Sequence, residues 1–179
     1  MELLLNILFI VLSLLAAAAV GLMIFFKLTI SIRDSRRRPA EKRLGQGARK
    51  ALFLYQPSNA KRNVPQAEAL AARLAEMGYA VTVNHPSEDL PYAPGDYDLL
   101  VFGSPVYMGE TARPLRRYLE THPFTGKRVL LYVDGLDLER APELETLKGL
   151  VPAGNELYTV KVEPRDREKL LTFAAEYGA

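Results

Sequence analysis

The stretch DYDLLVFGSPVYMG, residues 96–109, decides the fold class of this chain. Its centre, Leu99–Phe102, is a continuous apolar run without the alternation of a half-buried strand. Such a run predicts a strand that is covered on both faces, as in parallel sheets packed between helices. Gly103, Pro105 and Gly109 follow it. The pattern therefore predicts a buried parallel strand that ends in a glycine-containing loop.

Four further strands are predicted along the chain, and several of the five are apolar throughout. Strands are predicted at Lys50–Tyr55, Tyr79–Asn84, Arg128–Val133 and Glu156–Val162. Because helical patterns separate most of them, the alternation predicts an α/β fold, a three-layer sandwich around a five-stranded parallel sheet. Right-handed crossovers favour the strand order 2-1-3-4-5. The connection from Asn84 to Tyr97 is short for a helix, so we expect one irregular crossover.

Apolar residues at spacings of three and four predict the helices. The helices are expected between Asn63 and Gly78, after Thr111, over Pro142–Leu150 and over Asp166–Tyr177. We expect Asn63 to cap the first of them, with Gln66 as its capping-box partner, and Gly78 to end it. Thr111 is expected to cap the next helix.

The amino terminus predicts a membrane segment. Leu3–Phe26 holds 24 residues without a charge, which as a helix reach about 36 Å, enough for a hydrocarbon core of about 30 Å. A signal peptide and a buried core helix are the alternatives, but the start is acidic, the apolar run is long, and a polar face is lacking. We assign residues 1–27 to a transmembrane anchor.

Charge is distributed unevenly around this anchor. The chain has 23 Lys and Arg against 21 Asp and Glu, and residues 27–50 alone hold nine basic and two acidic residues. This predicts a basic juxtamembrane linker at 28–49, which either sets topology alone or also binds anionic headgroups of the lipid bilayer. The globular domain, residues 50–179, is then predicted to be cytoplasmic on a single-pass membrane protein.

Composition excludes several kinds of chemistry. The chain has no Cys and two His, so thiolate metal sites and a Cys nucleophile are excluded and no metal site is expected. Residues 51–179 carry a net charge of −4, which argues against nucleic acid as a partner. No catalytic residue is assigned, since the sequence offers no nucleophile–base pair for a hydrolase or transferase.

The run from Asp96 to Gly109 resembles the flavodoxin family. Proteins of that family follow their third strand with a G-S-P-x-Y-x-G type loop, and this sequence matches it at five positions: Gly103, Ser104, Pro105, Tyr107 and Gly109. The segments TARPLRRYLE and GKRVLLYVDG resemble the next helix and strand. The resemblance covers nearly all of residues 50–179 and implies a flavodoxin-like fold with FMN as cofactor. It implies that Tyr107 lies against the flavin ring and that Asp134 and Gly135 border it.

The loop after the first strand departs from the family pattern. Flavodoxins hold the FMN phosphate with an S/T-x-T-G-N-T type loop, whose counterpart runs from Ser58 to Asn63. By the resemblance, the cofactor-binding candidates there are Ser58, Asn59, Lys61, Arg62 and Asn63. Lys61 replaces the family's glycine, which is costly where φ is positive. Either Lys61 and Arg62 compensate by charge on the phosphate, or the loop has lost its ligand.

Two functions follow from the resemblance. The first is a membrane-tethered flavodoxin-like protein that binds FMN for electron transfer or small-molecule reduction, with a redox protein or a quinone as partner. The second is an interaction module on the same fold that has lost FMN binding. Asp134 and Asp137 either lower the potential of a bound flavin or form a solvated turn. The sequence does not decide the oligomeric state.

Overall fold

A computed structural model describes residues 1–35, 39–136 and 138–179, with the side chains of 33–35 left out of account. The chain forms two compact units, residues 1–36 and residues 37–179. Arg36, Arg37 and Arg38 of the predicted basic linker and Asp137 lie outside the described residues.

The first unit is one helix, α1, from Glu2 to Ser35. Its segment Glu2–Ile32 has a mean hydropathy of 2.9, is not buried, and is long and apolar enough to cross a membrane. It is therefore a candidate membrane span. The helix continues eight residues beyond the predicted end of the anchor at residue 27.

The second unit is an α/β domain whose strands form one sheet. Its strands are β1 (Lys42–Leu44), β2 (Arg49–Tyr55), β3 (Tyr79–Asn84), β4 (Leu99–Tyr107), β5 (Glu110–Thr111), β6 (Arg128–Asp134) and β7 (Glu156–Val162). The sheet order is β1-β3-β2-β4-β6-β7, with β5 paired to β4. The five strands β3-β2-β4-β6-β7 are parallel and realise the predicted order 2-1-3-4-5.

Helices cover both faces of the sheet. They are α2 (Val64–Glu76), α3 (Arg113–Thr121), α4 (Pro142–Lys148) and α5 (Arg167–Tyr177). The cluster on one face joins Phe53 and Leu74 to Leu170, and thus packs α2 and α5 against the sheet. The cluster on the other face joins Phe102 to Leu115, and packs α3 and α4 there. These two cores bury the central strands on both sides, as the continuous apolar runs predicted.

The crossover between β3 and β4 is irregular, as expected. Residues 85–98, all of which are described, form no α-helix and contain one 3₁₀ turn, Pro94–Asp96. Apolar side chains from this connection, Leu90 and Tyr92, join the core beside α3. A buried, irregular segment here replaces the helix of an ordinary βαβ unit.

The predicted linker at 28–49 is wrong in its second half. Lys42–Leu44 forms β1, which pairs antiparallel with β3. Ala40 N–H donates to Asn84 Oδ1 at 2.7 Å, and Tyr92 Oη donates to Glu41 Oε2. The sequence carries no sign of this strand, because three mostly exposed residues with two cations form no apolar pattern. Backbone pairing with β3 holds the strand in place.

The predicted side-chain caps of α2 and α3 are also wrong. Asn63 precedes α2 without capping it, and Gln66 Oε1 accepts from Arg165 N–H at 2.9 Å instead. Thr111 lies in β5, and Ala112 precedes α3 without a side-chain cap. Asn63 and Gln66, which the local pattern assigned to the cap of α2, form hydrogen bonds with residues far away in the sequence instead. The end of α2 is as predicted, because Gly78 has φ +88°.

Candidate functional site

Three segments meet at the carboxyl edge of the sheet. The first follows β2, the second is the end of β4 from Gly103 to Tyr107 (the β4 segment), and the third follows β6. The parallel register places Tyr55 beside Gly103 and Pro105 beside Asp134. Open α/β sheets bind ligands at this edge, where the strand order reverses between β2 and β4. The edge is therefore the candidate site, and the segment after β2, residues 56–63, is called the first loop below.

The first loop bonds extensively to itself. Lys61 N–H donates to the Ser58 carbonyl at 2.8 Å, and Arg62 N–H donates to Ser58 Oγ at 2.9 Å. Ser58 N–H donates to Asn63 Oδ1 at 2.7 Å. These amides belong to the stretch that would surround a phosphate in the family pattern, and here they have protein acceptors.

Asn63 is the buried centre of the first loop. Its Nδ2 donates to the Gln56 carbonyl and to Asp134 Oδ2, both at 3.0 Å, while its Oδ1 accepts from Ser58. The single amide therefore fastens both ends of the loop to the end of β6, and its oxygen accepts from Ser58 N–H rather than from an N–H of α2.

Asp134 is a buried acid at the base of the site. It is 4 % exposed, and burial raises its pKa from 3.8 to about 6, against the opposing effect of the Asn63 hydrogen bond. Desolvation disfavours the carboxylate and therefore favours the protonated acid. Asp134 thus changes charge near neutral pH next to the loop that would meet an anion.

Lys61 adopts the backbone conformation that the family reserves for glycine. Its φ is +54°, in the left-handed region, which costs roughly 1–2 kcal/mol for a residue with a side chain. The positive φ of Lys61 is the conformation in which a side chain is expected to be costly, and the loop adopts it with lysine in place. Lys61 and Arg62 are both exposed at this edge.

Tyr107 links the β4 segment to the first loop. Its hydroxyl accepts a hydrogen bond from Asn59 N–H at 2.6 Å. Tyr107 ends β4 and is followed by a two-residue turn, Met108 and Gly109, with φ of +51° and +77°. Positive φ at both positions is typical of the tight turn that returns the chain as β5.

Two predicted site residues, Ser104 and Pro105, lie within β4. The predicted strand ended at Phe102, but β4 extends to Tyr107 and thus includes Ser104 and Pro105. Ser104 is fully buried, and its Oγ accepts from Ala112 N–H at 2.8 Å and donates to the Pro105 carbonyl at 2.9 Å. The Ser104 hydroxyl therefore joins β4 to the start of α3.

The glycine before them is also explained by packing. A Cβ on Gly103 would lie 2.2 Å from the ring of Tyr132 in β6. Gly135, directly after the carboxyl end of β6, donates its N–H to the Val162 carbonyl, and its own Cβ would lie 3.2 Å from Lys161 Cε. Both glycines admit side chains of neighbouring strands.

Sequence reasoning missed two groups at this edge. The side chain of Gln56 is fully buried, and both of its polar atoms lack a hydrogen-bond partner within the described part of the chain. Lys161 forms a buried ion pair with Glu143 and donates to the Arg140 carbonyl at 2.6 Å. The polar Gln56 directly after an apolar strand was the one available signal. A group of three or more metal-ligating side chains is absent from residues 1–35, 39–136 and 138–179.

Comparison with known proteins identifies the fold. No family model matches, and no curated protein matches. Among solved structures, a short-chain flavodoxin associated with a bacterial microcompartment has a TM-score of 0.55 at 20% identity, covering 73% of this chain and 97% of that one. Flavodoxin 2 from Bacillus cereus has a TM-score of 0.55 at 19% identity, covering 72% and 97%. An NADH:FMN oxidoreductase has 0.53 at 15%, covering 73% and 88%. The chain has a flavodoxin-like fold.

The site has side chains of the kinds that could hold FMN, but the backbone N–H groups of the first loop donate to protein acceptors. The cations Lys61 and Arg62, the Ser58 hydroxyl and the Tyr107 ring meet at one edge, and the orphaned Gln56 amide marks a polar group in need of a partner. A phosphate that reaches Asn59 N–H must first displace the Tyr107 hydroxyl.

Proposed function

We propose that this chain is a membrane-tethered flavodoxin-like protein that binds FMN for electron transfer or small-molecule reduction. The observation that carries the proposal is the contact between the first loop and the other two segments, through Asn59 with Tyr107 and Asn63 with Asp134. These contacts bring the groups of the family's phosphate side and ring side together. Bound FMN supplies one- or two-electron chemistry.

In this proposal the chain's own residues bind and orient the cofactor. Lys61 and Arg62 would neutralise the phosphate. The Ser58 hydroxyl and the loop amides would donate to it once the amides release their present protein acceptors. Tyr107 offers an aromatic face to the ring. Asp134 holds the loop through Asn63, and its raised pKa limits the negative charge beside the phosphate.

The tether belongs to the proposal as well. Helix α1 has the length and apolarity of a span, and the basic residues follow it, which favours a cytoplasmic domain. Tethering would concentrate the domain near a redox protein or a quinone of the membrane. An export-dependent phosphatase fused to the carboxyl terminus tests the orientation. Activity of that fusion would contradict the cytoplasmic assignment.

Flavin binding is tested on the full chain in detergent micelles. We expect FMN to bind with a shift of its visible absorption band, and riboflavin, which lacks the phosphate, to bind at least tenfold more weakly. Replacing Lys61 and Arg62 together with Ala should weaken FMN binding and leave riboflavin binding unchanged. The matched control replaces Lys50 and Lys127 with Ala, because these two cations lie at the opposite edge of the sheet.

The second candidate is an interaction module that has lost FMN. The observation that favours it is that the amides of Ser58, Asn59, Lys61 and Arg62 already have protein acceptors. Failure of the full chain to bind added FMN would support this candidate and overturn the first one.

A further inference from the structure

A cavity lies beside the first loop, between α2 and the edge of the sheet that β1 and β3 form. It has a volume of about 460 Å³, and its lining residues come from β1, β2, β3, α2 and the adjoining loop residues. That volume lies within the range of small-molecule sites, about 300–1,000 Å³. The cavity shares Lys61 with the proposed FMN site, but its lining does not include Tyr107 or Asp134.

The walls of the cavity are mostly apolar. The apolar side chains that matter here are those of Leu44, Tyr55, Val64, Ala71 and Val83. Leu44 belongs to the edge strand β1, so the cavity has a wall only because this unpredicted strand forms. An apolar body is therefore the part of a ligand that this space accommodates.

One cation at the rim has no charge-balancing partner in the lining. Lys42 also lines the cavity, but its Nζ forms an ion pair with Glu68 Oε1 at 2.6 Å. Lys61 contributes a further positive charge. With His85 neutral, the lining carries a net charge of +1, which complements one negative charge on a ligand.

The backbone of Lys61 adds a second, independent observation. The residue lies at φ +54°, where glycine is favoured, and strained backbone of this kind clusters at ligand sites. A glycine would relieve the strain but would remove the cation from the rim. Lys61 thus places a positive charge beside the apolar walls of the cavity.

We propose that this cavity binds an amphipathic monoanion, with a carboxylate at Lys61 and an apolar chain between α2, β1 and β3. The ligand class follows from the apolar walls and the net charge of +1 at the rim. This site is additional to the FMN site and does not depend on it. Both share Lys61, so an occupied cavity would compete for the cation that the phosphate uses.

Titration calorimetry on the full chain in phosphatidylcholine nanodiscs tests the proposal, with empty nanodiscs as the blank. The probes are octanoate and, as its cationic counterpart, octyltrimethylammonium. We expect one saturable octanoate site and at least tenfold weaker binding of the cationic probe. Lys61→Gln should weaken octanoate about tenfold and leave octanol binding unchanged, because octanol lacks the charge.

Variants of the cavity wall separate specific binding from partition into lipid. Ala71→Phe fills the cavity from α2 and should abolish octanoate binding, whereas Ala72→Phe, on the exposed face of the same helix, should not. If Ala71→Phe fails to fold, Leu44→Trp fills the same space from the edge strand. Absence of a saturable octanoate site, equal binding of both probes, or full binding to either filled variant would overturn the proposal. FMN titration of the Leu44→Trp chain reports the other site separately.

Discussion

The first loop and the β4 segment lie side by side at one edge of the sheet, yet their residues have different functions. In β4 the residues that resemble the family hold the fold together: Gly103 admits Tyr132, and the Ser104 hydroxyl fastens α3. In the first loop the residues that depart from the family, Lys61 and Arg62, face solvent. The β4 motif therefore has packing roles in this fold that require no ligand, whereas Lys61 and Arg62 have no such role in the core.

The largest expected effect belongs to the packing side of this comparison. In Gly103→Ala the new Cβ meets the Tyr132 ring at 2.2 Å, so we expect a loss of about 3 kcal/mol in the free energy of unfolding, as for overpacked cores. Urea unfolding in detergent, followed by near-ultraviolet circular dichroism, measures it. Tyr132→Leu in the same chain should recover part of the loss. An unchanged midpoint would refute the packing role of Gly103.

The second effect concerns the buried acid between the two regions. Burial raises the pKa of Asp134 from 3.8 to about 6, so between these pH values the folded chain keeps a proton that the unfolded chain has lost. The free energy of unfolding should therefore fall as pH rises from 4 to 6, by about 2 kcal/mol from this group, and the full loss of about 3 kcal/mol is reached well above pH 6.

Asp134→Asn isolates that contribution. The amide oxygen can still accept from Asn63 Nδ2, and the variant has no charge to bury. It should be more stable than the parent by about 3 kcal/mol at pH 8 and similar to it at pH 4. Urea midpoints across this range provide the measurement. Parallel curves for the two chains would contradict a raised pKa at Asp134.

These residues also show what sequence reasoning reached. The five core strands were predictable. The central strands are apolar throughout because they are buried on both faces, as in Leu99–Phe102, whereas the outer strands β3 and β7 are partly exposed and include polar residues. The edge strand Lys42–Leu44 was not, because its stability comes from backbone pairing with β3. Asn63 was misassigned as a cap, since its partner Asp134 lies 71 positions away, and a local window carries no signal of such a contact.

The third prediction separates the effect of the Tyr107 ring on FMN affinity from the effect of its hydroxyl. Tyr107→Phe keeps the aromatic face and removes the acceptor of Asn59 N–H. If the phosphate has to displace that acceptor, FMN affinity should rise by up to about tenfold, which corresponds to about 1.4 kcal/mol for one hydrogen bond. Tyr107→Ala loses the ring and should bind FMN more weakly than the parent. Weaker binding of the Phe variant would mean that the hydroxyl contacts the bound cofactor.

The smallest effect tests the backbone of the first loop itself. Lys61→Gly relieves the φ of +54°, and Lys61→Ala removes the same charge while keeping the strain, so the two differ only in backbone freedom. The free energy of unfolding of the Gly variant, measured with urea, should exceed that of the Ala variant by about 1 kcal/mol. Gly109→Ala, in open space at φ +77°, is the reciprocal control and should lose a similar amount. If the Gly and Ala variants of Lys61 are equally stable, the left-handed turn imposes no measurable strain on a residue that carries a side chain.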